Sequence, residues 1–422
     1  MKILSITAQK PHSTGSGTYL TELVRSFDRM GHRQAVVCGI FPSDSVDFPD
    51  CVACYPVFFS ETGNQAPYLA APCKAKDGPI KTLPFPVVGM SDIMPYESTR
   101  YRDLTPDMVS QFEDAFMSAV SRAVEDLDPD LIVCHHLFLL TALVRKHFPG
   151  RKIAGISHGT DLRQMVNCAN LRDIVRPYVK DIDMALALHD EQRDRIKELF
   201  GMDGSKVAVI GSGYNDRLFN TEGRMERKPG EPVRICYAGK ISRPKGVPEM
   251  LAALSMLAGD DEVPPFELTM AGGCQDEVLK DTLDGLPDYA TWLGQIPQPA
   301  LAELLRRTDI FVLPSYFEGL PLVLIEAMAS GAVPVSTDLP GVKDWIDANV
   351  IRPNVIYVPM PEMKSIDRPT ESGRNAFVDD LASALKGAVT GFGSGALPGA
   401  KPDTSAITWD GVAKRLLSLC RP

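Results

Sequence analysis

Residues 309–337 combine two short apolar runs with a helical segment, and this order of elements restricts the fold strongly. Residues 309–313 and 332–337 are short and apolar, as buried parallel strands are. Between them, Gly319 and Pro321 indicate a tight turn into a helix, and Gly331 can end that helix in the left-handed conformation. A strand, a helix and a second strand in this order form a βαβ unit. In an open sheet, such a unit binds ligands at the carboxyl end of its first strand.

The same alternation of strands and helices runs through most of the 422 residues. Successive strand–helix pairs predict doubly wound parallel sheets, and the length predicts two domains with a core each. The predicted strands are residues 2–8, 32–39, 131–135, 152–157, 184–188, 206–210, 233–238, 266–271, 289–293, 309–313, 332–337 and 355–358. The predicted helices are residues 18–30, 106–126, 138–147, 171–179, 190–200, 248–257, 275–283, 299–306, 321–330, 375–388 and 408–420.

Two carboxylates stand out in the 309–337 segment. Glu326 lies in a helix that is apolar nearly all round, and a carboxylate is seldom buried without a partner. It either pairs with a structural cation or backbone N–H, or it accepts hydrogen bonds from vicinal ligand hydroxyls such as those of a ribose. Glu318 lies at the helix N-terminus, where it either caps the helix dipole or contacts a reacting sugar. The pattern alone leaves both interpretations open.

The string PSYFEGLPLVLIEAMASGAVPV, with Glu318 and Glu326 separated by seven residues, resembles the paired-glutamate signature of the family 4 retaining glycosyltransferases of GT-B fold. This resemblance implies an α/β protein with two doubly wound, Rossmann-like domains facing a central cleft and a C-terminal helix that crosses back to the N-terminal domain. The expected division is an acceptor domain at 1–212 with the closing helix at 408–422, a linker at 213–231, and a nucleotide-sugar donor domain at 232–400.

The turn after the strand 233–238 contains Gly239 and three cations, Lys240, Arg243 and Lys245, which suits a diphosphate. The family has arginine where this chain has Lys240, so the fork-like grip on phosphate is absent. The resemblance implies that three further parts of the chain bind the donor: the N-terminus of the helix 321–330, the turns that form the nucleotide pocket, and two loops of the N-terminal half. The predicted donor-binding residues are Gly15, Gly17, Gly239, Lys240, Arg243, Lys245, Gly273, Gln295, Ile296, Glu318, Gly319, Leu320, Pro321 and Glu326. The predicted catalytic residues are His158, Glu318, Lys245 and Lys240.

The N-terminal half contributes two loops. Gly15 and Gly17 precede a helix, where a glycine turn lets a phosphate or sugar approach the backbone. His158 begins the sequence HGTD after a strand, which resembles the family's active-site loop and implies contact with the donor sugar. His135 and His136 end a neighbouring strand and are weaker candidates of the same kind. Residues 41–104 are predicted to be a long proline-rich insertion, assigned to acceptor recognition by analogy.

The implied reaction moves a hexose-type sugar from a nucleotide-diphosphate sugar to an acceptor hydroxyl of a glycan, glycolipid or small molecule, with retained anomeric configuration. Two alternatives stay open at this point. One is a phosphorylase or epimerase of the same architecture, which would turn over without an acceptor. The other is a non-catalytic scaffold that binds nucleotide sugars.

The composition excludes several classes of protein. A net charge of −10 argues against a nucleic-acid partner. No apolar run is long enough for a membrane span, and the N-terminus does not resemble a signal peptide. The nine cysteines show no disulfide spacing, so the expected compartment is the cytoplasm. A glycolipid acceptor leaves peripheral contact with the inner face of the membrane open, through Arg25, Arg29 and Arg33.

No cofactor and no essential metal are predicted. The Asp-x-Asp pairs at 126–128, 128–130 and 181–183 precede strands, so they are interpreted as solvated acids. Cys51 and Cys54 with Cys73 offer three zinc ligands, but a fourth ligand is missing.

Overall fold

The computed structural model describes residues 1–61, 82–228, 230–397 and 401–421. The chain divides into two compact units. The first contains Met1–Ser212 together with Trp409–Pro422, and the second contains Gly213–Thr408. The segment predicted as a linker, residues 213–231, lies in the second unit.

Among the described residues, the first unit contains ten strands, and eight of them form one parallel sheet. In chain order its strands are β1 (Lys2–Thr7), β2 (Arg33–Ile40), β3 (Ala53–Phe59), β4 (Thr82–Leu83), β5 (Val88–Gly89), β6 (Thr99–Arg100), β7 (Leu131–His135), β8 (Ile153–Ile156), β9 (Met184–Ala187) and β10 (Val207–Val209). The large sheet has the order β10-β9-β8-β7-β1-β2-β3-β4, and β5 pairs with β6. Successive strands move outward in both directions from the β1–β7 pair, as in a doubly wound sheet.

The described part of the second unit repeats this plan with eight strands, of which six form one parallel sheet. Its strands are β11 (Val233–Ala238), β12 (Phe266–Ala271), β13 (Ala290–Trp292), β14 (Ile310–Leu313), β15 (Val333–Thr337), β16 (Ile356–Val358), β17 (Met363–Ser365) and β18 (Arg368–Pro369). The sheet order is β13-β12-β11-β14-β15-β16, and β17 and β18 form a separate antiparallel pair. The winding direction therefore changes between β11 and β14, which is where an open sheet binds its ligand.

Helices connect the strands, as the alternation predicted. They are α1 (Gly15–Arg29), α2 (Pro106–Leu127), α3 (Leu139–His147), α4 (Thr160–Asn167), α5 (Ala169–Lys180), α6 (Asp190–Phe200), α7 (Val247–Ala258), α8 (Glu277–Asp284), α9 (Gln298–Arg306), α10 (Leu322–Ala329), α11 (Val342–Asn349), α12 (Glu371–Gly393) and α13 (Trp409–Leu419). Short 3-10 turns occur at Tyr101–Asp103, Gly204–Lys206, Arg243–Lys245 and Ser405–Ile407.

Local sequence explains where key helices begin and end. The Thr14 hydroxyl accepts from the Gly17 N–H and caps α1, and Thr105 caps α2 directly before Pro106. Gly331, predicted to end α10, follows it with φ +92°. The closing helix α13 packs on α1 through an ion pair between Arg29 and Asp410, which confirms the predicted return of the C-terminal helix to the N-terminal domain.

Each sheet has its own apolar core. In the first unit, Phe112, Phe116 and Phe138 are fully buried in one core cluster. In the second, Tyr237 and Phe377 are fully buried between the sheet and its helices. Buried aromatic side chains contribute strongly to core packing, so they hold the strands that precede the loops in place.

The prediction that residues 41–104 form an irregular insertion was wrong in part. β3 extends the main sheet beside β2, and β4, β5 and β6 follow it. Pro56 obscured β3, because proline is rare inside strands. Within the described residues, β4 pairs with Phe58 and Phe59 and not with Pro56, so Pro56 lies outside the β3–β4 ladder. Residues 62–81, which include Cys73, lie outside the described residues.

Candidate functional site

In the second unit, two turns meet at the carboxyl ends of β11 and β14, where the winding of the sheet reverses. The first turn holds residues 239–246, and the second holds residues 314–321. The Tyr316 N–H donates to the Pro244 carbonyl at 3.1 Å and joins them. The sequence-predicted phosphate turn and the predicted Glu318 turn are therefore adjacent.

Two glycines make this close approach of the turns sterically possible. Gly246 has φ +64°, and a Cβ there would lie 2.1 Å from the Pro314 oxygen. Gly272 has φ +145°, and a Cβ there would lie 1.7 Å from the Gly239 oxygen. Both positions exclude any larger residue, because backbone cannot yield to such contacts. The turns after β11, β12 and β14 therefore pack backbone to backbone.

Lys245 and Glu318 form an ion pair at the centre of these turns. The Lys245 ammonium lies 2.6 Å from Glu318 Oε1 and 3.4 Å from the Phe317 carbonyl. The Ser315 hydroxyl donates to the same Glu318 oxygen at 2.8 Å. With side chains 26% and 18% exposed, both groups remain within reach of a ligand. Lys245 and Glu318 thus lie in one site, although the sequence predicted that Lys245 binds the diphosphate and Glu318 contacts the sugar.

Tyr237, in β11, stabilises the turn that holds residues 239–246. Its hydroxyl donates to the Lys240 carbonyl at 2.7 Å. Burial, with the Glu318 charge as a second cause, raises the pKa of Tyr237 well above its usual value. Tyr237 therefore stays a neutral donor and fixes the backbone of the turn that carries Lys240.

The other residues of the second unit that were predicted to bind the donor lie in the turns after β11, β12, β13 and β14 and in α10. Arg243 is exposed and lies 3.3 Å from Asp276, and Lys240 is partly buried. Gln295 Oε1 lies 3.9 Å from where a Gly273 Cβ would be. Ile296 is partly buried in the turn after β13, and Gly319 is partly buried beside Glu318. Leu320, Pro321 and Glu326 are buried, with Glu326 only 6% exposed inside α10.

His158, Gly15 and Gly17 lie in the first unit. The loop carrying His158 follows β8, and the Asp161 carboxylate organises it. Asp161 accepts from the Leu137 N–H at 2.7 Å, the Ser157 hydroxyl at 3.0 Å and the His158 N–H at 3.2 Å. Burial is the largest influence and raises the pKa of Asp161, although these three donors oppose it. The carboxylate ties the loop after β8 to the loop after β7.

Three histidine rings gather at the ends of β7 and β8. His135 Nδ1 lies 3.2 Å from His158 Nε2, and the planes of the two rings are nearly parallel, with 9° between them. His136 meets His158 edge to face at 4.8 Å. Burial lowers the pKa of His158 to about 3 and holds the pKa values of His135 and His136 well below their usual range. All three rings are neutral at pH 7, so His158 can donate or accept a hydrogen bond but carries no charge.

A chain of hydrogen bonds, in which each donor and acceptor can be assigned, holds the glycine loop before α1. The Asp47 N–H donates to His12 Nε2 at 3.2 Å, so His12 Nδ1 carries the ring proton and donates to the Thr21 hydroxyl at 3.0 Å. That hydroxyl donates to the Gly17 carbonyl at 3.0 Å. Gly17 is buried and packs against the backbone of residues 10–12, whereas Gly15 is exposed with open space beside it.

Among the described residues, no group of three or more histidine, cysteine or acidic side chains is arranged to hold a metal ion. Cys51 Sγ lies 2.9 Å from Asp28, whereas Cys54 Sγ lies 3.9 Å from Cys38 Sγ. The two cysteines of the suggested zinc set thus have different partners, and the third, Cys73, lies outside the described residues. In the described part of the chain, no helix combines the length and apolar character needed to cross a membrane.

Sequence reasoning did not single out Ser315, Tyr237 or Asp161. Ser315 and Asp161 carried a usable signal, because each lies within three residues of a predicted site residue in a strand-end loop. Tyr237 had none, since a tyrosine in an apolar strand is ordinarily a core residue.

Solved structures with this architecture confirm the predicted GT-B fold. Sucrose-phosphate synthase from Thermosynechococcus elongatus superposes with a TM-score of 0.64 at 16% identity, over 100% of this chain and 98% of that one. Anabaena HepE in complex with UDP and glucose superposes with a TM-score of 0.56 at 15% identity, over 99% and 98%. At such identities the likeness concerns the fold alone.

Sequence comparison then defines the family. A glycogen synthase from Mycobacterium tuberculosis is 30% identical over 171 residues, which are 40% of this chain and 40% of the relative. The match therefore spans about two-fifths of the relative's length. The family model described as "Glycosyl transferase 4-like domain" matches residues 14–213, and "Glycosyl transferases group 1" matches residues 220–366. The chain belongs to the family 4 glycosyltransferases, as the resemblance predicted.

Proposed function

We propose that the chain is a retaining glycosyltransferase that moves a hexose-type sugar from a nucleotide-diphosphate sugar to an acceptor hydroxyl. The Lys245–Glu318 pair, at 2.6 Å, carries this proposal. It joins a cation suited to a diphosphate with an acid suited to a sugar, at the point where the winding of the donor-unit sheet reverses.

The second unit would bind the donor. Lys240, Arg243 and Lys245 supply positive charge to the diphosphate, and the N-terminus of α10 adds its dipole and free N–H groups. Glu326 would accept hydrogen bonds from the ribose hydroxyls, with Gln295 and Ile296 beside the base. In the first unit, His158 would contact the sugar as a neutral group, since the pKa of its ring is about 3.

The proposed reaction is a front-face displacement. The acceptor oxygen forms a bond to the anomeric carbon on the face from which the diphosphate leaves, so the configuration is retained. The bond between that carbon and the phosphate oxygen breaks, and the acceptor's proton passes to the departing phosphate. Negative charge grows on the diphosphate, where the cations of the turn stabilise it, so the proposal includes no metal and no cofactor.

UDP-glucose is the first donor to test, since UDP and glucose are the ligands in the HepE complex. The acceptor belongs to the first unit in this proposal and is a glycan, a glycolipid or a small molecule. We also propose that the protein acts in the cytoplasm. If the acceptor is a glycolipid, the first unit would bind at the membrane surface.

The decisive experiment measures thermal unfolding with UDP, GDP and ADP and their sugar conjugates. A nucleotide at about 100 times its Kd stabilises the fold by about 2.7 kcal/mol. The expected result is a clear rise in Tm for one nucleotide, reduced by about half or more in Lys245→Ala and Glu326→Ala. The matched controls are Lys280→Ala and Glu303→Ala, which remove exposed ion-pair partners in the same unit and should keep the rise.

Turnover then separates the alternatives. Release of nucleotide only when an acceptor is present, with a product of unchanged anomeric configuration by NMR, supports the transferase. Turnover without an acceptor would favour a phosphorylase or epimerase. Binding without any turnover would favour the scaffold, and no binding of any nucleotide would overturn the donor site itself.

A further inference from the structure

The three-histidine cluster contains more than the single ring that the donor site requires. His135 is 3% exposed and ends β7, and its Nδ1 faces Nε2 of His158 at 3.2 Å. Because adjacent parallel strands end at the same edge, the pairing of β7 with β8 brings the two rings together. The only route for a hydrogen bond between these rings is through these two nitrogens, so one of them carries the shared proton.

Neighbouring rings fix the orientation of His158. Its ring lies nearly parallel to that of His135 with the centroids 5.3 Å apart, meets His136 edge to face at 4.8 Å and meets Tyr19 edge to face at 5.1 Å. Tyr19 is itself held by its hydroxyl, which donates to the Gly211 carbonyl at 2.8 Å, and by the Trp409 ring at 4.7 Å. A ring enclosed in this way cannot turn over to exchange its two nitrogens, so the tautomer decides what it offers to a ligand.

The environment of His135 decides between the two tautomers. Its other nitrogen, Nε2, is buried and has no hydrogen-bond partner among the described residues. If His135 Nδ1 accepted from His158, then Nε2 would carry a buried N–H with no acceptor. A buried orphan N–H is rarer in proteins than an under-used acceptor. The arrangement with an N–H on Nδ1 of His135 leaves only an unused lone pair.

We propose that His135 is a positioning residue that donates its Nδ1–H to His158 Nε2 and thereby holds His158 as the Nδ1–H tautomer. His158 then presents a neutral N–H donor at Nδ1, which has no hydrogen-bond partner within the described ranges. That donor suits a hydroxyl or ring oxygen of a sugar and does not suit a cationic ligand. The identity of the ligand as a sugar rests on the proposed function, whereas the tautomer does not.

The tautomer can be observed directly by NMR of the full chain labelled with 15N-histidine. The seven histidines give few signals, and single substitutions assign them. The expected result is that His158 shows a proton on Nδ1 and none on Nε2. In His135→Leu the signals should shift toward the Nε2–H form, which imidazole favours in water. His135→Asn keeps an amide N–H near the position of Nδ1–H and should restore the Nδ1–H form.

His136→Asn is the control, because His136 touches His158 only by its ring edge. Asparagine also tolerates the φ of +73° at this position. This variant should leave the tautomer of His158 unchanged. An Nε2–H tautomer of His158 in the unaltered protein would overturn the proposal, and so would an unchanged tautomer in His135→Leu. The first result needs no variant, so it is decisive even if a substitution impairs folding.

Kinetics gives a second readout once a donor is known. His135→Leu should lower kcat roughly five- to tenfold, as loss of one oriented hydrogen bond would. In a His158→Ala background the same substitution should have no further effect, because His135 acts through His158. Equal effects in both backgrounds would contradict the positioning role. If no donor supports turnover, the proposed function fails, while the NMR result still decides the tautomer.

Discussion

Arg234 grips Asp309 with two parallel hydrogen bonds, 2.9 Å from Nε to Oδ2 and 2.8 Å from Nη2 to Oδ1. Arg234 belongs to β11, and Asp309 directly precedes β14, so the pair joins the two central strands of the second sheet. It lies at their amino ends, opposite the turns that carry Lys245 and Glu318. An ion pair thus links the amino ends of β11 and β14, and the candidate site lies at their carboxyl ends.

Asp309→Asn should destabilise the second unit by about 3 kcal/mol, because a buried carboxylate is replaced while its arginine partners stay. Asp309 is 2% exposed, and the guanidinium groups of Arg224 and Arg227 lie within 4.0 Å of it. Urea unfolding at pH 7 measures the change. Glu303→Gln, in an exposed ion pair, should change stability by less than about 1 kcal/mol. Nucleotide binding at low temperature should survive in Asp309→Asn, and its loss would show that the pair also shapes the site.

Gly246→Ala and Gly387→Ala should have opposite effects on stability. The alanine Cβ at 246 would lie 2.1 Å from the Pro314 oxygen at a φ of +64°, which predicts a loss of about 2 to 3 kcal/mol. Gly387 is exposed inside α12 with nothing within 4 Å of an added Cβ, so alanine there should stabilise by about 0.5 to 1 kcal/mol. Thermal unfolding of both variants checks the pair. Equal Tm values would refute the close packing of the two turns.

For some elements the first and last residues predicted from the sequence are the observed ones, because neighbouring residues alone determine where these elements begin and end. β7, β11, β12 and α6 have the predicted bounds, because each is an apolar or amphipathic run between clear turn residues. α4 was missed because it has eight residues, is largely polar and leads almost directly into α5. β3 was missed because of its proline. Local patterns identify elements well only where neighbouring residues alone decide them.

The contacts of the candidate site depended on information that local patterns do not carry. Lys245 and Glu318 lie 73 positions apart and meet because β11 is adjacent to β14 in the sheet. His135 and His158 lie 23 positions apart and meet because β7 pairs with β8. Motifs placed each residue at a strand end but could not give the strand order. The ligand-binding and catalytic roles assigned to these residues remain predictions.

Acidification from pH 6.5 to pH 4 should destabilise the protein through His12. Burial, followed by the charge of Arg25, lowers the pKa of His12 to about 4, against 6.5 unperturbed. Between these values the unfolded chain binds the proton and the folded chain does not, so stability is complete above pH 6.5 and is lost as the pH falls. The shift corresponds to at most about 3 kcal/mol.

The comparison of the wild type with His12→Asn isolates this contribution. Asparagine tolerates the φ of +63° at His12 and does not titrate. The free energy of unfolding in urea, measured from pH 8 to pH 4.5, should fall more steeply for the wild type, since His135, His136 and His158 contribute equally to both proteins. Parallel curves would show that His12 does not carry the expected proton linkage.

Glu318→Gln should separate nucleotide binding from turnover. The Glu318 carboxylate lies 2.6 Å from the Lys245 ammonium, so it would compete with the proposed diphosphate for that ammonium. Glutamine keeps the shape and removes the charge, so Lys245 becomes free for phosphate and the Kd for the nucleoside diphosphate should fall by about two- to fivefold. Turnover should fall by about 100-fold or more, because the acid proposed to contact the sugar is gone.

Calorimetric titration and steady-state kinetics on the same preparation measure the two effects. Lys245→Met should give the opposite pattern in binding, with a Kd raised at least about tenfold. Glu303→Gln makes the same chemical change on the exposed surface of α9 and should alter neither quantity. If Glu318→Gln weakened nucleotide binding as much as Lys245→Met does, the acid and the cation would act as one structural pair. The assignment of Glu318 to the sugar would then have to be abandoned.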